Sequence, residues 1–204
     1  MPGESTLTID RDHLRAVLLP EPLAVAQGGD DGSARDGLRA TLTPASVLFP
    51  LVPRENGLFV LLTQRTDHLR DHPGQISFPG GRVEPEDASP VHTALREARE
   101  EIGLAAEHVD VIGFLPDYCT ITGYRVTPVV AIVMPPFTLT PDAEEVAHIF
   151  EVPFDFLMDP VNHQEHAIMR EGKPRRFVAM PYGDYFIWGA TAGIIKSLQR
   201  ALAA

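Results

Sequence analysis

The sequence predicts an α/β fold, a mixed β-sheet sandwiched between α-helices. Three observations predict it. Short apolar runs bounded by turn residues lie on both sides of a central stretch with helical periodicity, and a second helical stretch ends the chain. The third is size and composition, because 204 residues with 44% hydrophobic and 22% charged residues can bury most of their surface in one core.

Residues 1–40 are expected to be an N-terminal extension of that fold. Residues 1–16 are predicted to form a short helix, and residues 27–33, QGGDDGS, a flexible loop. The first residues lack the charged start and apolar centre of a signal peptide, and no apolar run approaches the roughly 20 residues that span a bilayer. We therefore expect a cytoplasmic protein that does not bind membranes.

A β-hairpin is predicted next. Residues 45–52 and 58–63 are apolar, and the Asn56-Gly57 step between them is a strong hairpin signal. A final helix is predicted at residues 191–203, with Thr191 as its N-cap. The remaining predicted strands are residues 109–115, 127–133, 167–169, 176–180 and 185–188.

The central helix has a predicted start, stop and rotation. Ser89 is the expected N-cap, Pro90 suits the first helical position, and Gly103 suits the left-handed residue after the last turn. An apolar stripe at helical spacing indicates the buried face. Its members are Val91, Ala94, Leu95, Ala98 and Ile102.

Three glutamates, Glu97, Glu100 and Glu101, crowd the polar edge of this helix. Like charges at these spacings repel by a few tenths of a kcal/mol per pair. One interpretation is a solvated face on which Arg96 pairs with Glu100. The other is a cation site, because the glycines before the helix let a ligand approach, and a backbone carbonyl at Gly81 would add a hard oxygen ligand for Mg²⁺ or Mn²⁺.

Net charge limits the partners. A formal charge of -11 argues against nucleic-acid binding, which depends on lysine and arginine. It would also repel a small phosphorylated substrate, unless bound cations and nearby arginines reverse the local field.

Residues 81–104 resemble the Nudix box, the loop-helix motif of hydrolases that cleave nucleoside diphosphates linked to another moiety. Gly81 and the stretch REAREEIGL at residues 96–104 fit the pattern. There are two departures, since Asp87 replaces the first glutamate and eight residues, instead of seven, separate it from Arg96. Upstream, LLTQRTDHLRDHPGQISFPGG at residues 61–81 resembles the signature of the coenzyme A pyrophosphatase branch, with Thr66 where serine is more usual.

The resemblance implies that residues 1–204 are a single domain with the Nudix fold. It implies Mg²⁺- or Mn²⁺-dependent hydrolysis of the diphosphate of coenzyme A to adenosine 3',5'-bisphosphate and 4'-phosphopantetheine. By the same resemblance, Glu97 and Glu101 are direct metal ligands, Glu100 is a third, and Arg96 orients a glutamate. The oligomeric state is left open.

Four further residues are candidates for the site. Glu145 resembles the later-loop glutamate that completes the metal site or acts as base in relatives, although a solvated loop acid is the equal alternative. Arg65, Arg70 and His72 lie in the branch signature and are expected to contact phosphate or pantetheine, with a purely structural role favoured for His72. The general base is one of the three helix glutamates or Glu145.

Two rival functions remain. A Nudix hydrolase of another nucleoside diphosphate derivative, such as ADP-ribose or NADH, would use the same metal chemistry without the signature at residues 61–81. A non-catalytic nucleotide-binding module would ordinarily have lost one of the helix glutamates, and all three are present.

Overall fold

A mixed nine-stranded sheet forms the centre of the computed structural model, which describes residues 11–23, 28–29, 42–69, 72–170 and 173–204. The helices are α1 (Arg11–Val17), α2 (Pro90–Ile102), α3 (Phe154–Met158) and α4 (Gly189–Leu202). The strands are β1 (Gly28–Gly29), β2 (Thr43–Arg54), β3 (Gly57–Arg65), β4 (Ile76–Ser77), β5 (Gly80–Arg82), β6 (Val109–Phe114), β7 (Tyr118–Cys119), β8 (Tyr124–Val133), β9 (Val146–Pro153), β10 (Gln164–Arg170), β11 (Lys173–Tyr182) and β12 (Tyr185–Trp188).

The main sheet has the strand order β1-β7-β8-β2-β3-β4, with β5 paired to β2, β6 to β8 and β9 to β3. The β2–β8 and β1–β7 pairs are parallel, and the other pairs are antiparallel. Strands β10, β11 and β12 form a separate antiparallel sheet. None of the helices in the described part of the chain is long and apolar enough to cross a membrane.

Each face of the main sheet has its own hydrophobic cluster. On one face, Leu48 of β2 and Leu61 of β3 pack in a cluster with Ala98 of α2. On the other, Phe49 of β2 lies in a cluster with Leu198 of α4. Strand β2 is therefore buried on both sides, which explains its continuous apolar sequence. The predicted sheet between helices is confirmed.

The hairpin and the ends of the central helix also agree with prediction. Strands β2 and β3 pair through Arg54 and Gly57. The Ser89 side chain accepts a hydrogen bond from the His92 N–H at 3.2 Å, and Gly103 has a φ of 68° at the end of α2. Because left-handed backbone favours glycine, Gly103 ends the helix as expected.

Two predictions about local structure are wrong. Thr191 does not cap α4, because the helix begins at Gly189 and the Thr191 hydroxyl donates instead to the Ile76 carbonyl at 2.9 Å. In the predicted N-terminal loop, Gly28 and Gly29 form a short strand beside Tyr118 and Cys119, and residues 27 and 30–33 lie outside the described residues.

Strand β9 was not predicted. Its sequence, VAHIFEVP, begins directly after an acidic stretch, and its side chains alternate imperfectly between exposed and buried. It pairs with β3 from Phe59 to Arg65, with a register shift between Gln64 and Arg65. The pairing brings the residues before β9 to the end of β3.

Candidate metal and substrate site

The candidate site lies where α2 crosses the N-terminal ends of β5 and β9. Gly81 packs so closely against α2 that a Cβ atom there would collide with the Glu97 carboxylate. One turn later, Glu101 accepts a hydrogen bond from the Gly80 N–H at 3.2 Å. The glycines before the helix therefore bring backbone against two of the three predicted ligands.

Glu101 is buried, with 5% of its surface exposed, whereas its position was predicted to be a polar helix edge. Burial, together with the charges of Glu97 and Glu145, raises the pKa of its carboxyl to about 8. The Gly80 N–H and the Arg65 guanidinium act in the opposite direction. A buried carboxylate with two acidic neighbours is a position that a cation would stabilise.

Glu97 is the second member of the cluster, and 17% of its side chain is exposed. Burial raises the pKa of its carboxyl, Arg96 lowers it, and the charges of Glu100 and Glu145 raise it again. Glu145 itself is exposed in the loop before β9. The structure thus brings Glu97, Glu101 and Glu145 close enough for their charges to interact.

Arg96 lies at the centre of a charged network beside these glutamates. Its Nη1 donates to Glu97 Oε1 at 2.9 Å and to Glu100 Oε2 at 3.0 Å. Its Nε and Nη2 bind both oxygens of Asp87, at 3.1 and 2.9 Å, and Nη2 also donates to the Arg82 carbonyl. The predicted pair between Arg96 and Glu100 is present, and Arg96 also hydrogen-bonds to Glu97.

Asp87 anchors this network from the loop before α2. Its side chain is only 1% exposed. The bidentate pair with Arg96 holds the pKa of its carboxyl well below the usual range, and hydrogen bonds from the Glu84 N–H, the Thr93 hydroxyl and the His92 ring add to the effect. Asp87 therefore reaches Arg96, although its side chain is shorter than the usual glutamate and one extra residue separates it from the arginine. The sequence-based interpretation of this position as orienting the loop agrees with these contacts.

The residues present suit a hard divalent cation by their chemistry, since three carboxylates share one region and one of them is buried. Within the described residues, however, no three His, Cys, Asp or Glu side chains are already arranged as a metal site. The Arg96 guanidinium occupies oxygens of Glu97 and Glu100. A cation held by Glu97 and Glu100 would share these side chains with Arg96, and Glu100, with 60% of its side chain exposed, is the less confined of the two.

The branch-signature residues lie at different distances from this cluster. Arg65 ends β3 and acts electrostatically on Glu101, and its buried Nε atom has no hydrogen-bond partner among the described residues. His72 is exposed in a turn, with a φ of 58° and its carbonyl accepting from the Gln75 N–H at 3.2 Å. Arg70 lies outside the described residues. Of the three, Arg65 is the one whose charge acts on the cluster.

Two residues near the site received no role from the sequence. Asp142 donates its N–H to the Glu101 carbonyl at 2.8 Å, and Thr66 binds the backbone of Glu144 and Glu145. Their only sequence signals were an acidic residue after a proline and a hydroxyl within the signature. Neither signal distinguishes a residue that supports a site from an ordinary loop residue.

Comparison with known proteins gives the family. A family model described as NUDIX domain matches residues 42–171. A protein named uncharacterized Nudix hydrolase NudL from Enterobacter sp. (strain 638) is 46% identical over 155 residues, which cover 76% of this chain and 80% of that protein. The NudL protein of Escherichia coli (strain K12) is 45% identical over the same shares.

A solved structure supports the fold. The MutT/nudix family protein from Enterococcus faecalis has a TM-score of 0.50 and 18% identity, over 79% of this chain and 62% of that one. The predicted fold class is therefore confirmed. Nudix hydrolases act on nucleoside diphosphate derivatives and generally use divalent cations such as Mg²⁺ or Mn²⁺. The extent of the family match and the identity to the NudL proteins together show that this chain belongs to the Nudix hydrolase family.

Proposed function

We propose that this Nudix hydrolase cleaves the diphosphate of coenzyme A, giving adenosine 3',5'-bisphosphate and 4'-phosphopantetheine. The observation that carries the proposal is that residues from the stretch 61–81 lie beside Glu101. The sequence of this stretch resembles the coenzyme A pyrophosphatase signature. This segment contains the end of β3, all of β4 and the start of β5, and it contributes both the Arg65 side chain and the Gly80 N–H that act on Glu101. The segment with the substrate-specific sequence therefore adjoins the carboxylates of the proposed catalytic centre.

Glu97, Glu100 and Glu101 would hold the cation, together with the Gly81 carbonyl. A bound Mg²⁺ or Mn²⁺ supplies positive charge for the diphosphate oxygens and lowers the pKa of a bound water. Glu101 must lose its proton before it can serve as a ligand, because burial raises its pKa to about 8. Arg96 would orient Glu97 through its hydrogen bond, and Asp87 would keep Arg96 in place.

Arg65 would bind the substrate through the guanidinium. A buried donor without a partner is costly, so a ligand oxygen that accepts from its Nε would be favoured. Phosphate oxygens suit the planar fork of arginine. Glu145, whose charge acts on Glu97 and Glu101, would complete the cation site or take a proton from the attacking water. His72 would contribute through the turn that ends at Gln75, either as a contact or by holding the loop.

A substrate panel tests the proposal. Coenzyme A, 3'-dephospho-coenzyme A, ADP-ribose and NADH are each incubated with the protein and Mg²⁺ or Mn²⁺, and the products are identified. We expect coenzyme A to have the highest kcat/KM. A preference for ADP-ribose or NADH would indicate the rival hydrolase, and binding without cleavage of any of them would indicate a nucleotide-binding module.

Arg65→Ala and His72→Ala, measured on the same four substrates, test which part of the substrate each side chain contacts. Arg65→Lys is the control that keeps the positive charge and loses the planar guanidinium. Loss of one charge-assisted contact costs on the order of 1.5 to 3 kcal/mol. If Arg65 binds the diphosphate, Arg65→Ala impairs all four substrates. If it binds the 3'-phosphate, the variant impairs coenzyme A and leaves 3'-dephospho-coenzyme A almost unchanged.

A further inference from the structure

Hydrogen bonds attach the loop that carries Glu145 both to α2 and to the residue that follows β3. On one side, the Asp142 N–H donates to the Glu101 carbonyl of α2 at 2.8 Å. Within the turn, the Glu144 N–H donates to Asp142 Oδ1 at 2.9 Å and the Glu145 N–H to the Asp142 carbonyl at 3.1 Å. These contacts fix the start of the turn relative to the helix.

The second attachment is Thr66, the residue directly after β3. Its N–H donates to the Glu145 carbonyl and its hydroxyl to the Glu144 carbonyl, both at 3.0 Å. Thr66 is 7% exposed, so its hydroxyl is directed at the loop and not at solvent. Two donors from one residue hold two successive carbonyls. The peptide plane between Glu144 and Glu145 therefore has a set orientation, and the Glu145 side chain leaves the backbone in a set direction.

We propose that Thr66 is a positioning residue that aims Glu145 at the cluster of Glu97 and Glu101. This role rests on the proposed function of Glu145. It adds that the Thr66 hydroxyl, which belongs to the branch signature, helps to fix the direction of the Glu145 side chain. The charge of Glu145 acts on both helix glutamates although Glu145 is itself exposed. The two bonds from Thr66 fix the backbone at Glu145, and with it the direction in which the side chain leaves the turn.

Thr66→Val tests the proposal, because valine has the shape of threonine and lacks the donor. Thr66→Ser keeps the hydroxyl and is the rescue variant. Thr191→Val is the matched control, since Thr191 is also buried and its hydroxyl also donates to a carbonyl, at 2.9 Å, in the first turn of α4. Glu145→Gln and the double variant with Thr66→Val complete the set. Direct Mn²⁺ binding to the protein by titration calorimetry, kcat and KM at saturating Mn²⁺, and the melting temperature are measured for each.

We expect Thr66→Val to weaken Mn²⁺ binding or to lower kcat by about fivefold, the size of effect that one lost hydrogen bond gives. If Glu145 binds the cation, both Thr66→Val and Glu145→Gln should weaken Mn²⁺ binding. If Glu145 is the base, both variants should lower kcat. Thr66→Ser should stay within about twofold of wild type. The double variant should be no worse than Glu145→Gln alone, because both changes act through one side chain.

Three results would overturn the inference. Thr66→Val with normal Mn²⁺ affinity and kcat, beside an impaired Glu145→Gln, would reject the positioning role and leave the proposed function standing. Equal losses in Thr66→Val and Thr191→Val would show a general effect of stability. Normal behaviour of Glu145→Gln would remove Glu145 from the site, and the role of Thr66 with it.

Discussion

Glu101→Gln should make the metal-free protein more stable at neutral pH while it destroys activity. In the folded protein the pKa of Glu101 is about 8, against an ordinary value of 4.5. Between these values the folded chain holds a proton that the unfolded chain has lost. The free energy of unfolding therefore falls as pH rises through this window, by about 1.4 kcal/mol for each pH unit.

The magnitude follows from the window. From about pH 5.5 to about pH 7.5, wild type should lose roughly 2 to 3 kcal/mol through this one group. Glutamine has no proton to lose and a similar shape, so this part of the pH dependence should vanish in the variant. Turnover with saturating substrate should fall by more than about a hundredfold, because a proposed cation ligand is gone.

Urea unfolding of chelator-treated protein at several pH values measures the effect. Glu100→Gln is the matched control on the same helix, because 60% of that side chain is exposed, and its pH dependence should follow wild type. Added Mg²⁺ should stabilise wild type more than Glu101→Gln, since the cation binds the folded state. Identical pH dependence of stability in wild type and Glu101→Gln would refute the reasoning about burial.

Other perturbations give further predictions. Chelation should abolish activity, and direct titration should show Mn²⁺ affinity rising with pH up to about 8 as Glu101 loses its proton. Gly81→Ala should retain secondary structure by circular dichroism and lose most activity, because its Cβ would displace the Glu97 carboxylate; normal kcat/KM would contradict the close packing. Asp87→Asn should lower the free energy of unfolding by about 1.5 to 3 kcal/mol, because it breaks a buried charged pair with Arg96; unchanged urea stability would count against that pair as an anchor.

The helix and its charges could be predicted from sequence because their signals are local. Ser89, Pro90 and Gly103 mark the ends of α2, and an apolar stripe sets its rotation. The depth of each glutamate could not be predicted this way. Glu101 is buried where Gly80 binds its carboxylate and Asp142 binds its carbonyl, and those contacts join residues far apart in the chain.

Strand β9 and the cap of α4 show the same limit. The sequence VAHIFEVP has strand-forming residues, but its partner β3 lies more than eighty positions earlier and its burial is uneven. Thr191 is a good N-cap residue by type. Thr191 lies inside the first turn of α4 because β12 continues to Trp188. The Thr191 hydroxyl donates to the Ile76 carbonyl instead. Tertiary contact overrides the local preference at both places.

Identification of the products formed from coenzyme A tests the central claim most directly. Wild type and Glu101→Gln are incubated side by side with coenzyme A and Mg²⁺, and the products are separated and weighed by mass spectrometry. We predict adenosine 3',5'-bisphosphate and 4'-phosphopantetheine in equal amounts from wild type, and almost none from the variant. Cleavage at another bond, no cleavage by wild type, or equal cleavage by both proteins would contradict a coenzyme A diphosphatase centred on the glutamates of α2.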